Sequence, residues 1–400
     1  MTAAPADRLA AWWVVGAGVV AALQVGKLPP ALPVLQAELG LTLVQSGFLL
    51  SAVQAAGMGL AVFMGLWADA WGMRRSLLLG LCVLTLASSL GALATSPWML
   101  LAARAAEGFG FLGVVLPAPG LIRRLVPGDR LAGMLGLWGA YMPTGTALAL
   151  WIGPAWLEQA RWPSWWLLFA AVSALMALVI AWRVPPDGPS TRSGPGALSR
   201  LGGTLSAPGP WLVALMFGVY SSQWLAVIGF LPTIYAQSGQ GGAWLGALSA
   251  LAAAINMLGN LTGGRLLQAG WPPRRTLWMG YGAMALGSPL AFGPGLPDAP
   301  ALRYAGVLLF SGGGGWVPAT LFTLAVRLAP GESRVATTVG WMQQCSALGQ
   351  FIGPPLAAWL AARAGGWQVM PAFTLSCCLV GAVLAWATAR WQRQQAQSRP

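Results

Sequence analysis

Apolar residues in this chain run in long blocks rather than alternating or recurring on one helical face. The blocks are about twenty residues long, broken by glycine, proline and arginine, and each is long enough to cross a hydrocarbon layer as a helix. Twelve are predicted: 10–31, 43–68, 75–95, 98–122, 131–157 and 164–184, then 211–235, 242–267, 275–294, 300–326, 335–361 and 367–390. In chain order these are spans one to twelve. The first follows only Arg8 and lacks a small-residue cleavage site, so it reads as a retained helix. Between the sixth and seventh, residues 185–210 are polar and rich in proline, glycine and serine, the composition of a flexible linker.

The pattern is stated twice. Arg124-Leu-Val-Pro-Gly-Asp-Arg130 returns as Arg327-Leu-Ala-Pro-Gly-Glu-Ser333, an offset of 327 − 124 = 203. Pro117-Ala118 returns as Pro318-Ala319 (318 − 117 = 201), and Ile152-Gly153-Pro154 as Ile352-Gly353-Pro354 (352 − 152 = 200). Echoes in one order at nearly one spacing mark a duplicated unit. The expected organisation is a six-helix bundle over 1–184, a cytoplasmic linker over 185–210 and a second six-helix bundle over 211–400. Duplicated bundles of membrane helices can enclose a binding site where they meet, the architecture of secondary transporters.

Composition narrows the class further. Hydrophobic residues make up 57% and charged residues 8% of the chain, against about 25% charged in a soluble domain. The net charge of +13 forms no single patch. With the N-terminus placed in the cytoplasm, Arg8, Arg74, Arg75, Arg123, Arg124, Arg130, Arg183, Arg192, Arg200, Arg265, Arg274, Arg275, Arg327, Arg334, Arg390, Arg393 and Arg399 fall inside, and only Arg161 and Arg363 fall clearly outside. That asymmetry obeys the positive-inside rule, predicts an even number of spans with both termini cytoplasmic, and argues against nucleic acid as a partner. The chain has no histidine, and its four cysteines sit in apolar runs without metal-site or disulfide spacing. Neither a metal nor a cofactor is expected, no Walker sequence offers ATP drive, and no carboxylate pair within a span suggests an enzyme.

Polar residues inside the spans are the candidate chemistry. Arg104 and Glu107 are three apart and share a helix face, and an arginine at bilayer depth costs roughly 2.5–3.5 kcal/mol. One reading is a structural ion pair. The other turns Arg104 toward an anionic solute and makes Glu107, the acid placed well inside a span, the candidate for proton coupling. Lys27, the sole lysine, either snorkels to the outer interface or faces inward, where its charge would join that of Arg104. Arg303 lies 303 − 104 = 199 residues after Arg104 and is its candidate repeat partner, although it sits near a helix start. Buried amides and aromatics supply further candidate solute contacts: Tyr141, Gln223, Trp224, Asn256 and Gln344. The dinucleotide-like Gly108-x-Gly110-x-x-Gly113 and the run Ser311–Gly315 lack strand context and a phosphate-loop lysine, so both read as small faces for helix packing.

The loop Gly65-Leu-Trp-Ala-Asp69-Ala-Trp-Gly72-Met-Arg74-Arg75 resembles the signature of the major facilitator superfamily, and Arg104-Ala-Ala-Glu107-Gly108 resembles its fourth-helix motif. The resemblance implies twelve transmembrane helices in two pseudo-symmetric bundles, a solute bound between them near the midplane, and alternating access. It also implies a cytoplasmic gate at Gly65, Asp69, Gly72, Arg74 and Arg75. The second-half loop has Gln268 in place of the acid. More narrowly, Gly136-Leu-Trp-Gly-Ala-Tyr-Met-Pro-Thr-Gly145, Trp165-Trp166 and Gly229-Phe-Leu-Pro-Thr-Ile-Tyr235 are similar to the cyanate-permease-type branch. The expectation is a monomeric, multi-pass carrier of the bacterial inner membrane. It moves a small solute, with an anion favoured, and proton symport is the coupling considered. An efflux pump for drugs or metabolites on the same fold is the alternative.

Overall fold

The computed structural model describes residues 8–187, 197–237, 243–294, 299–331 and 334–397. Those residues are helical nearly throughout. The first half holds α1 (Arg8–Gly26), α2 (Leu28–Leu39), α3 (Leu43–Ala52), α4 (Ala55–Trp71), α5 (Met73–Ala92), α6 (Pro97–Val115), α7 (Ala118–Leu125), α8 (Gly128–Gly139), α9 (Tyr141–Gln159) and α10 (Trp162–Arg183). Then come α11 (Ala197–Leu205), α12 (Pro208–Gln237), α13 (Ala243–Gln268), α14 (Pro273–Phe292), α15 (Pro300–Gly314), α16 (Trp316–Leu328), α17 (Val335–Ala364) and α18 (Met370–Gln397). Helices are what an apolar chain must form in lipid, because every backbone donor and acceptor is then satisfied within its own segment.

Several spans are two helices with a break between them. Span one divides at Lys27, span four at Leu116-Pro117, span five at Ala140 and span ten at Gly315. Span two bends by 42° between Leu43–Ala52 and Ala55–Ala61. The first span also runs further than predicted, to Leu39. Pro29 and Pro30 fall in the opening turn of α2, where a missing N–H is not needed. By length and apolarity eight helices among the described residues suffice to cross a membrane, or nine with the bent pair. The segments α9, α14 and α17 are 19, 20 and 30 residues long but diluted by glycine, threonine and amide side chains, so the twelve-span reading accommodates them. The linker departs from the flexible coil expected of it, because Ala197–Leu205 is a helix.

Two compact units are present: Met1–Thr42, Ala52–Ser193 and Tyr235–Ala250 form one, and Leu43–Ser51, Gly194–Ile234 and Leu251–Pro400 form the other. Within each, the duplication read from the sequence recurs as packing. In the first unit a Cβ on Gly80 of α5 would lie 2.7 Å from backbone atoms of Gly110, Gly113 and Val114 in α6. In the second, a Cβ on Gly280 of α14 would lie 3.3 Å from the Gly313 carbonyl of α15 and 2.8 Å from Val317. The offsets are 280 − 80 = 200 and 313 − 113 = 200. The glycine-rich runs Gly108–Gly113 and Ser311–Gly315 are therefore close-approach faces, as small residues between membrane helices allow.

Replacing Gly80 by valine should push α5 from α6 and lower stability by about 1–3 kcal/mol. Gly282→Ala, a position with open space around it, should be neutral or stabilising. Thermal melts of the purified variants in one detergent check both; equal melting temperatures for Gly80→Val and wild type would contradict the packing described.

Candidate functional site

Lys27, Arg104 and Glu107 meet at one place in the first unit. Lys27 stands at the break between α1 and α2, where its backbone N–H still donates to Leu23 (2.8 Å). Arg104 and Glu107 lie one turn apart on α6, a helix started by Ser96, whose hydroxyl accepts from the Met99 N–H. All three side chains are 0% exposed. Glu107 bridges the two cations: Oε1 accepts from Lys27 Nζ at 2.6 Å and Oε2 from Arg104 Nη1 at 2.6 Å. Lys27 therefore does not snorkel to a surface.

Neutral side chains complete the arrangement. Lys27 spends its three N–H bonds on Glu107, on Gln24 Oε1 (2.6 Å) and on Ser88 Oγ (2.7 Å). Ser88 accepts that bond and has one proton to give, with Gln24 Oε1 at 2.8 Å and Glu107 Oε1 at 2.9 Å. Gln24 Nε2 donates onward to Ser173 Oγ (2.9 Å) and the Phe169 carbonyl (3.3 Å). The face of Trp166 covers Lys27, 5.0 Å from Nζ to the ring centroid, and Trp165 Nε1 donates to the Lys27 carbonyl at 2.9 Å. Desolvating an ion costs several kcal/mol even after relaxation, and ion pairing offsets this only where geometry is good and remaining donors are met. Lys27 meets that condition. Two cations on one carboxylate leave the triad with a net charge of +1.

The second unit repeats the hydroxyls without the charges. Ser88 corresponds to Ser288 (288 − 88 = 200) and Ser173 to Thr374 (374 − 173 = 201), and Thr374 Oγ1 lies 2.6 Å from Ser288 Oγ, both buried. At the same offset of 200, Lys27 becomes Val227 and Glu107 becomes Val307. Arg303 is not a second Arg104: half-buried, it donates to the Ala291 carbonyl (3.3 Å) at the end of α14, where a cation suits the helix terminus.

The remaining predicted contacts fall in separate places. Trp224 and Asn256 converge on Ser311: Trp224 Nε1 donates to its hydroxyl (3.3 Å), and Asn256 Nδ2 to its carbonyl (2.8 Å) and to Tyr220 (3.0 Å). Gln223, also buried, turns the other way, accepting from Cys378 Sγ (3.4 Å), while its Nε2 is buried without a partner. Tyr141 stacks on Trp138 in the first unit with centroids 4.5 Å apart, and Gln344 is half-buried in α17. The sequence missed Ser88 and Ser173 because isolated hydroxyls in apolar helices carry no signal of their own, and it read Ser311 only as the start of a glycine packing face. The near-constant repeat offset would have paired Ser88 with Ser288.

At the α4–α5 turn the structure supplies an acid the sequence did not single out. Asp187, in the linker, accepts from the backbone N–H of Arg74 on Oδ1 and of Arg75 on Oδ2, both at 3.0 Å, and Arg124 Nη1 donates to Oδ1 at 3.1 Å. It caps α5 from a distant part of the chain. Gly72, with φ of 122°, must be glycine on two counts, since a Cβ there would also sit 2.4 Å from the Asp187 carboxylate. Arg74 Nη2 donates to the Ala181 carbonyl (2.7 Å), tying the same turn to α10. Gly65 and Asp69 lie in α4, with the Asp69 side chain outside the described residues. Among the described residues no group of three or more His, Cys, Asp or Glu is placed to hold a metal.

Partial burial works against the charge on Asp187, but the two backbone N–H groups and the Arg124 guanidinium outweigh it and hold its pKa below the usual 3.8. A depressed carboxyl adds stability that is complete above the unfolded value and lost as pH falls through the folded one. Asp187→Ala should therefore cost about 1 kcal/mol at neutral pH, the typical worth of a helix cap. It should also flatten the loss of stability below about pH 4. Melting temperatures from pH 7 down to pH 3 test this, and parallel curves for the two proteins would contradict it.

A sequence profile of the family described as Major Facilitator Superfamily matches residues 14–354. The 2-nitroimidazole transporter of Escherichia coli (strain K12) is 29% identical over 356 residues, 85% of each chain. The puromycin resistance protein pur8 of Streptomyces alboniger is 32% identical over 212 residues, which are 52% of this chain but 41% of that protein. In fold, the chain superposes on a bacterial homologue of the human lysosomal transporter Spinster, solved inward-facing and unoccupied, with a TM-score of 0.81. There identity is 15%, over 97% of this chain and 98% of the other.

Proposed function

This chain belongs to the Major Facilitator Superfamily, whose members carry solutes across membranes and are not enzymes, and on that premise we propose the kind of solute it carries. It is a secondary transporter for a small organic solute bearing a planar, electron-rich head group, a carboxylate or a nitro group. Alternating access moves the solute across the bacterial inner membrane. The observation that carries this reading is the buried Lys27–Glu107–Arg104 triad with its surplus positive charge. A guanidinium presents forked donors that match two coplanar oxygens, and an ammonium adds a point charge. Nitro and carboxylate groups share that two-oxygen outline, which makes the nitroimidazole transporter's substrate class a natural relative of the anion expected from the sequence.

Membership of the cyanate-permease-type branch is part of the proposal. Its Trp165-Trp166 pair has a physical role here, one indole holding the Lys27 carbonyl and the other covering its ammonium. The solute-contact assignment extends to Tyr141, Gln223, Trp224, Asn256 and Gln344, which offer uncharged donors and aromatic faces for the rest of the molecule. Glu107 is the proposed proton-coupling residue, and Asp187 joins Gly65, Asp69, Gly72, Arg74 and Arg75 in the cytoplasmic gate. The arginine distribution supports cytoplasmic termini, and the protein is proposed to work as a monomer. Efflux of drug-like compounds is the second reading, favoured by the partial likeness to a puromycin resistance protein.

Arg104→Gln in proteoliposomes should abolish saturable transport of small carboxylates and nitro-heterocycles, with insertion intact. Transport at the wild-type rate would remove Arg104 from solute handling and favour the efflux reading, in which an apolar pocket does the recognising. Glu107→Gln should remove the dependence of solute accumulation on the proton gradient; a variant that still concentrates solute with an unaltered pH profile excludes Glu107 as the coupling residue.

A further inference from the structure

The triad is built as a carboxylate site that the protein fills itself. Each oxygen of Glu107 takes one cation, Lys27 at 2.6 Å on one side and Arg104 at 2.6 Å on the other. This is how a free two-oxygen anion would lie between the same two groups. We propose that Glu107 is the resident occupant of an anion site formed by Lys27 and Arg104, and that a carboxylate or nitro solute is held by replacing it. The proposal rests on the solute class given above and adds the regulation of that site: an internal carboxylate competes with the solute, so empty protein never carries two uncompensated buried cations.

Three observations support exchange over a fixed structural ion pair. First, the surplus of one positive charge means the cations are not saturated electrostatically by Glu107 alone. Second, the other contacts survive its departure. Ser88 and Gln24 still receive two of the three Lys27 N–H bonds, and the Gln24 carbonyl still receives Arg104 Nη1. Third, span one is already weakened where it would have to open. Pro29 and Pro30 cannot donate to the carbonyls of Val25 and Gly26, so the helix on either side of Lys27 can flex without breaking those two hydrogen bonds. Gly26 packs there directly on Thr146 of α9, where a Cβ would lie 2.8 Å from Cα.

The experiment is chemical rescue in the full-length protein. Glu107→Ala, purified in sodium formate, should lose thermal stability when formate is exchanged for chloride at equal ionic strength and regain it saturably on re-addition. Formamide, the neutral counterpart, should give no recovery. A folded Glu107→Ala protein whose melting temperature is indifferent to formate overturns the proposal. Should that variant fail to fold in either salt, Glu107→Gln carries the test: formate should bind it at least tenfold more tightly than wild type, and equal or weaker binding overturns the proposal. The two ideas fail differently. Loss of transport in Arg104→Gln with no formate response leaves the solute class standing and removes the exchange, whereas full transport in Arg104→Gln removes the solute class itself.

Discussion

Two fully buried cations sharing one buried carboxylate is the constraint around which the first unit is organised. In such surroundings the attraction between unit charges 4 Å apart is about 4 kcal/mol even at an effective dielectric of 20, and the cost of burying each ion is of the same order. Neither term dominates, so the outcome turns on hydrogen bonds. Spans one, three, four and six each contribute to that end: Gln24 and Lys27, Ser88, Arg104 with Glu107, and Trp166 with Ser173. Removing Gln24, Ser88 or Glu107 leaves a Lys27 N–H without its partner in a fully buried site. The glycine faces of α5 and α6 bring these helices close enough for the contacts to form.

The second unit shows what the same scaffold looks like without that constraint. Its hydroxyl pair, Ser288 and Thr374, persists at the repeat positions of Ser88 and Ser173. Valines stand where Lys27 and Glu107 would be, and Arg303 serves a helix terminus instead. Duplication supplied two equivalent interiors, and charge was placed in one of them. The second unit instead gathers amide, hydroxyl and indole groups around Ser311.

Much of this was legible in the sequence because lipid makes helical backbones obligatory and duplication repeats its own evidence. The apolar runs located the helices, and the arithmetic of 200 to 203 residues located the repeat. Arg104 and Glu107 could be placed on one face because three residues make most of a helical turn. Lys27 could not be placed, since a lysine near a span end can snorkel or turn inward, and the choice depends on Ser88 and Trp166 from helices far along the chain. Asp187 was illegible for the same reason: nothing in Pro-Pro-Asp-Gly-Pro announces that its carboxylate will cap a helix starting at residue 73. Helix breaks at Ala140 and Gly315 were hidden inside continuous apolar runs, where only packing decides.

Infrared difference spectroscopy of the protein in a lipid film, perfused with and without a small carboxylate or nitro-heterocycle, tests the central claim most directly. The account predicts a solute-induced change in a protein carboxylate band that is absent from Glu107→Gln, because the bridging carboxylate is the group that responds. Solute binding with no carboxylate change, or with one that persists in Glu107→Gln, would contradict it.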